Sequence, residues 1–292
     1  MPLAKFSLPS LNWLSIALPH LSRRRFTATA LAAGFALAVR PLAASTITTD
    51  ARGLTEGAVK IPTRDGSIPG YRAKPSGTGP FPIVIVVHEI FGVHEHIRDL
   101  CRRFAKAGYY AIAPQLFFRQ GDVESKTSID DIRPITAQVP DEQVMHDIDA
   151  CAPFAHIDGG NGQKLAITGF CWGGRIVWLY AAHNKHLDAG VAWYGRLTGD
   201  VTEKQPRHPY DVADKLKAPV LGLYGGLDKG IPQSSVEEMR ARLKKVGAPS
   251  EIHVYENAEH AFNADYRPAY NAEAAKDGWA RMLAWFKAQG VA

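Results

Sequence analysis

The sequence predicts an α/β domain: a doubly wound, mostly parallel sheet with helices on both faces and an antiparallel start. Three observations point there. Continuous apolar, β-branched runs such as IVIVV at residues 83–87 suit strands buried on both faces. Helical stripes alternate with these runs through most of the chain, and parallel strands need such crossovers. Hydrophobic residues make up 46% of the 292 positions, enough for a sizeable core. With no internal repeat, heptad run or low-complexity tract, residues 57–292 read as one domain.

Residues 57–75 read as two short strands joined by a turn at Asp65-Gly66. After the 83–87 strand, a helix is expected over 94–107, with Ile97, Leu100 and Phe104 on one stripe and Gly108 ending it. Residues 109–113 make the next strand, stopped by Pro114. Residues 115–140 have no strong period and read as a loop-rich excursion. A helix over 141–154, a strand over 165–168 and a helix over 172–182 follow. "LDAGVAWYG" and "APVLGLYGGLD" supply one strand each, with turn and linker between them. An amphipathic helix over 236–246, a last strand over 251–255 and a closing helix over 274–288 complete the series.

The first 44 residues stand apart. Ser22-Arg23-Arg24-Arg25-Phe26 precedes a short apolar run, 27–39, with small residues at Ala43 and Ala44. This resembles a twin-arginine export signal, removed on passage through the twin-arginine machinery to a bacterial periplasm. The run is too short for a permanent membrane span. Residues 45–56 would then be a flexible lead-in. Lys5, Arg23, Arg24, Arg25 and Arg40 are the only charges before residue 45, so their loss takes the formal charge from +5 to about zero. A nucleic-acid partner would need a basic face or a recognition motif, and neither is present. The sequence leaves the oligomeric state open, a monomer included.

Cys101, Cys151 and Cys171 are the three cysteines, too few for a disulfide framework. The first two sit on helical apolar stripes and read as core, although a bridge between them is compatible with an oxidising compartment. Cys171 differs. In "GFCWGG" (169–174) it follows a strand and opens a helix, with Gly169 and Gly173 two residues to either side. A nucleophile on a sharp strand-to-helix turn needs small neighbours there. A buried cysteine beside a glycine turn is the plainer alternative. The helix start would favour thiolate, and the Trp172 amide could meet a developing oxyanion.

Such an elbow needs an acid and then a histidine, later in the chain and at strand ends. Asp228 in "YGGLDKG" and His260 in "NAEHAFN" fit, as orienting acid and general base. Glu259 and Asp265 are less suitably placed acids. Glu89 follows the 83–87 strand in "VVHEIFGVHEH", and the adjacent Ile90 amide could be a second oxyanion donor. His88, Glu89, His94 and His96 crowd together, but Gly92 and the strand-to-helix setting break the zinc-helix pattern, so no metal and no cofactor is expected.

Taken in order, "HEIFG" (88–92), "GFCWGG" (169–174), Asp228 in "YGGLD" and "HAF" (260–262) resemble the dienelactone hydrolase (carboxymethylenebutenolidase) family over roughly residues 57–288. The resemblance implies an α/β-hydrolase fold and a Cys171–Asp228–His260 triad. It further implies a Glu89 that helps generate thiolate when substrate enters, and hydrolysis of small esters or lactones through an acyl-thiol intermediate. Family enzymes bind a substrate carboxylate with arginines, one of them four residues after the histidine. Here that position is Ala264, and the nearest arginine, Arg267, becomes the candidate substrate-binding residue. Pro114-Gln115-Leu116 stands where Pro-Asp-Leu is usual. Rival readings are another acyl hydrolase such as a peptidase, a thiol redox protein, which lacks a resolving Cys-x-x-C partner, and a non-catalytic periplasmic binding protein.

Overall fold

Residues 46–292 are described by the computed structural model; the expected export signal at 1–44 lies outside the described residues. The chain opens with a hairpin. β1 (Leu54–Thr63) and β2 (Gly66–Pro75) pair antiparallel from Thr63↔Gly66 to Leu54↔Pro75. β1 therefore starts inside the segment expected to be flexible. Upstream of it, the Ile47 amide donates to Asp265 at 3.3 Å and the Thr49 amide to Asp99 at 2.6 Å. These contacts correct the flexible 45–56 lead-in: two buried carboxylates anchor it to the domain.

Six further strands follow. They are β3 (Phe81–Val87), β4 (Tyr110–Pro114), β5 (Gly160–Phe170), β6 (Ala189–Trp193), β7 (Val220–Gly225) and β8 (Glu251–Tyr255). The sheet order is β1-β2-β4-β3-β5-β6-β7-β8. The β1–β2 and β2–β4 pairings are antiparallel and the other five are parallel. Ile83 to Val87 are all 0% exposed, as a central strand covered on both faces requires. The chain begins its parallel section at β3, steps to β4, then returns to the other side of β3 to lay down β5. The order thus reverses between β3 and β5, the crevice where an open α/β sheet places its reactive groups.

The helices are α1 (Glu95–Lys106), α2 (Ile129–Thr136), α3 (Asp141–Asp149), α4 (Cys151–Ile157), α5 (Trp172–His183), α6 (Pro209–Val212), α7 (Gln233–Val246) and α8 (Ala272–Ala288). Three departures from expectation have local causes. The 115–140 excursion contains α2, capped by Ser128 Oγ accepting from the Asp131 amide at 3.1 Å. With only Ile132 buried, that helix leaves no apolar period in the sequence. The single helix expected over 141–154 breaks at Ala150, because Pro153 has no N–H for the Asp149 carbonyl and restarts the helix at Cys151. The linker before β7 holds the one-turn α6, whose His208 amide donates to Asp211 at 2.8 Å.

Cys101 and Cys151 are fully buried and unbridged. Burial pushes both thiols well above the ordinary range. Among the described residues no helix is long and apolar enough to cross a membrane.

Candidate active site

β5 delivers Cys171 and β3 delivers Glu89 and Ile90 to the crevice, because Val87 and Gly169 are partners in the sheet. Cys171 has φ 56° and ψ −112°, a strained backbone for a residue with a side chain. The Cys171 amide donates to the Trp193 carbonyl at 3.0 Å. Its own carbonyl accepts from the Gly174 amide at 3.1 Å and the Arg175 amide at 3.3 Å. Glycine is required around it on steric grounds. A Cβ on Gly169 would stand 2.3 Å from the Gly173 carbonyl oxygen, and one on Gly173 2.4 Å from that of Val87. The plainer reading of Cys171 as core fails, since its side chain lines a cleft of about 530 Å³ while the other two cysteines are sealed.

His260, in the loop after β8, meets it there. His260 Nε2 lies 3.2 Å from Cys171 Sγ, and Nδ1 lies 2.7 Å from Asp228 Oδ2. Asp228 is fixed in turn. Its Oδ1 accepts from the amides of Gly230 at 2.8 Å and Ile231 at 3.1 Å, leaving Oδ2 for the ring. Burial would lower the His260 pKa, but the Cys171 charge and the Asp228 hydrogen bond outweigh it and raise the value to about 10. The raised value belongs to the ring beside a charged sulfur, so it favours the imidazolium–thiolate pair that forms when the Cys171 proton moves to Nε2. The spare acids do not compete: Asp265 is taken by His96 and Arg103, and Glu259 lies at the cleft wall without replacing Asp228.

Ile90 and Trp172 line the same cleft. Trp172 is the first residue of α5, so its amide has no intrahelical acceptor, and the Ile90 amide has no backbone acceptor among the described residues. Both amides suit a developing oxyanion. Arg267 also lines the cleft, with its guanidinium 5.8 Å from the Phe91 ring centroid.

Glu89 is placed differently from its expected partner. It is 1% exposed and makes no hydrogen bond to Cys171 or His260; instead Tyr266 Oη donates to its Oε2 at 2.5 Å. Burial would raise its pKa, but His94 and the Arg267 charge bring it down to about 2. The neighbouring histidines go separate ways. His88 bonds the Glu89 carbonyl through Nδ1 at 2.6 Å and accepts from the Leu116 amide through Nε2 at 3.1 Å. His96 bonds Asp265 at 3.0 Å. No His/Cys/Asp/Glu group among the described residues is arranged to hold a metal.

The sequence leaves Tyr194 open between pocket wall and core and does not mark Tyr266. Tyr194 is buried at φ 38° after β6, with its ring 5.2 Å from that of His260, edge to face. Its position beside "WYG" marks a strand end, a signal equally consistent with core. Tyr266 lies six residues beyond His260 in the same loop, and nothing in the local pattern marks it.

The sequence profile of the dienelactone hydrolase family matches residues 68–290. A provisionally named carboxymethylenebutenolidase of Methylorubrum extorquens is 58% identical over 275 residues, 93% of this chain and 94% of that protein. A protein of the same provisional name from Escherichia coli O157:H7 is 55% identical over 265 residues, 90% and 98% of the two chains. The crystal structure of a provisionally named dienelactone hydrolase from Klebsiella pneumoniae superposes with a TM-score of 0.79 at 56% identity, covering 80% of this chain and 98% of that one. With a profile match over most of its length and relatives this similar end to end, the chain is a hydrolase of the α/β-hydrolase fold and belongs to the dienelactone hydrolase family.

Proposed function

We propose that this hydrolase cleaves ester or lactone bonds of small molecules with Cys171 as nucleophile, by way of an acyl-thiol intermediate. The observation that carries the reading is the unbroken Cys171 Sγ–His260–Asp228 line, at 3.2 and 2.7 Å, opening on a cleft. Cys171 gives its proton to His260 Nε2, and its sulfur attacks the acyl carbon. Negative charge on the carbonyl oxygen is met by the Ile90 and Trp172 amides. Collapse of this intermediate breaks the C–O bond, and the imidazolium protonates the departing alkoxide, which stays attached through the ring skeleton when the substrate is a lactone. Neutral His260 then takes a proton from water, the hydroxide attacks the thioester, and the sulfur leaves with the proton returned to the Cys171–His260 pair. Asp228 holds the tautomer throughout. Thiolate is a good leaving group, so activated esters and enol lactones suit this chemistry better than amides. No metal or cofactor is needed for any step.

The cleft wall favours an anionic substrate. Arg196, Lys229 and Arg267 line it with no ion pair among the described residues, whereas Arg175 is neutralised by Asp141 at 2.7 Å through both nitrogens. Arg267→Ala is expected to raise KM about tenfold for an ester bearing a free carboxylate and to leave a neutral ester nearly unchanged. Equal effects on both esters would remove Arg267 from substrate binding.

The proposal places the enzyme in the periplasm, after export by the twin-arginine route. The support is the Ser-Arg-Arg-x-Phe sequence before a short apolar run. Protein recovered from a periplasmic fraction should begin near residue 45. A cytoplasmic product that still begins at Met1 would contradict it.

A further inference from the structure

Between β6 and α6 the chain leaves the sheet, crosses the surface and returns to the point it left. At the outgoing end Gly195 lies against the first turn of α5, where a Cβ on it would stand 2.3 Å from the Gly174 carbonyl carbon. At the returning end the Tyr210 amide donates to the Leu197 carbonyl at 3.1 Å. A surface segment with neighbouring ends and no helix or strand between them is an Ω-loop, a form often put to functional use. Arg196, Gln205 and His208 from this loop line the cleft of about 530 Å³ together with Cys171. Residues 199–204 are exposed, so little apolar packing holds the loop in place.

One side chain anchors its returning end. Arg175 is buried in the first turn of α5, shortly after Cys171, and uses all three of its nitrogens here. Nη1 and Nη2 each donate to an Asp141 oxygen at 2.7 Å, and Nη2 also donates to the Arg207 carbonyl at 2.6 Å. Nε donates to His208 Nδ1 at 3.3 Å. The other His208 nitrogen then carries the hydrogen and donates to the Asp200 carbonyl at 3.0 Å. Asp141 supports the loop as well, its amide donating to the Lys204 carbonyl at 2.8 Å. A single guanidinium thus ties the loop, and the helix start on which the loop leans, to the helix that carries the elbow.

We propose, resting on the ester-hydrolase reading above, that Arg175 is a positioning residue for specificity: it fixes residues 196–208 as one wall of the cleft and so limits the bulk of the ester admitted beside Cys171. Lysine cannot replace it. A point charge on a flexible stem can meet Asp141 or the Arg207 carbonyl, but it has no planar fork to hold both and His208 as well.

The test compares Arg175→Lys with wild type in the full chain by two readings. The first is the rate of tryptic cleavage after Lys204 and Arg207 under native conditions. Both residues are exposed, and the Arg207–His208 peptide is the one whose carbonyl Arg175 holds, so cleavage there reports release of the tether. The second is the ratio of kcat/KM for 4-nitrophenyl benzoate to that for 4-nitrophenyl acetate. Arg175→Lys is expected to be cut at these two bonds about tenfold faster, as loss of hydrogen bonds from a charged group implies, and the benzoate-to-acetate ratio should rise about tenfold. General damage to the site would slow both esters and leave the ratio where it was. Unchanged cleavage overturns the proposal, and so does faster cleavage with a ratio that is unmoved or falls. Should Arg175→Lys lose its fold, seen as cuts throughout the chain, Asp141→Asn gives the second reading, because it keeps the shape and removes the charge that holds the guanidinium. It should move both readings the same way by a smaller factor, and an Asp141→Asn protein that matches wild type in both counts against the tether. Failure of the ester reading shows separately, as turnover of both esters that survives Cys171→Ala.

Discussion

Cys171→Ala is expected to abolish ester turnover while leaving the fold intact. The expected loss in kcat is on the order of 10⁴-fold or more, because nothing else in the cleft can form the acyl intermediate. The fold should hold because Cys171 is only partly buried and its removal opens onto an existing cleft rather than creating a sealed cavity. Backbone strain at φ 56° persists with alanine, which keeps the elbow comparison fair. Steady-state rates on a chromogenic ester, with a thermal melt as the folding control, decide it. Turnover near the wild-type rate in a folded Cys171→Ala protein ends the nucleophile assignment.

The second large effect is at His260. His260→Ala should cost about as much as Cys171→Ala, and the double variant should be no worse than either alone, since the pair acts as one unit. Additive losses would mean that the two residues act separately. The ring's proton gives an independent check whose sign follows from its surroundings. Burial pulls the His260 pKa down, while Cys171 and then Asp228 push it up to about 10, so beside a charged sulfur the cation survives well past neutrality and is lost only as the pH approaches that value. Removing the Cys171 charge removes the largest upward contribution. In Cys171→Ala the imidazole NMR titration should therefore fall toward the ordinary range. A titration that does not move would show that sulfur and ring are not coupled.

Much of this arrangement is legible in the amino-acid sequence. The strand that ends at Val87 and the one that carries Gly169 were marked by β-branched runs, and burial on both faces leaves no other composition open to them. The elbow was legible because sterics at Gly169 and Gly173 tolerate nothing larger. Asp228 and His260 were found by their places at strand ends. Four features stayed hidden, each for a physical reason. Helix α2 buries one residue and so carries no period. The break at Ala150 depends on one missing N–H, at Pro153, inside an otherwise good helical stripe. Tyr266 meets Glu89 across 177 residues of sequence, a contact that no local pattern encodes. The anchoring of residues 46–53 was missed likewise, because Asp99 and Asp265 reach that segment only in the folded chain.

The central claim is a covalent bond between substrate and the sulfur of residue 171, and mass spectrometry reads it directly. The enzyme is mixed with an activated ester, quenched in acid during turnover and digested with trypsin. The account predicts that the peptide spanning residues 165–175 gains the mass of the acyl group, and that hydroxylamine removes it. An acyl group found on another peptide, or rapid turnover with no acylated protein at any time point, would contradict the account.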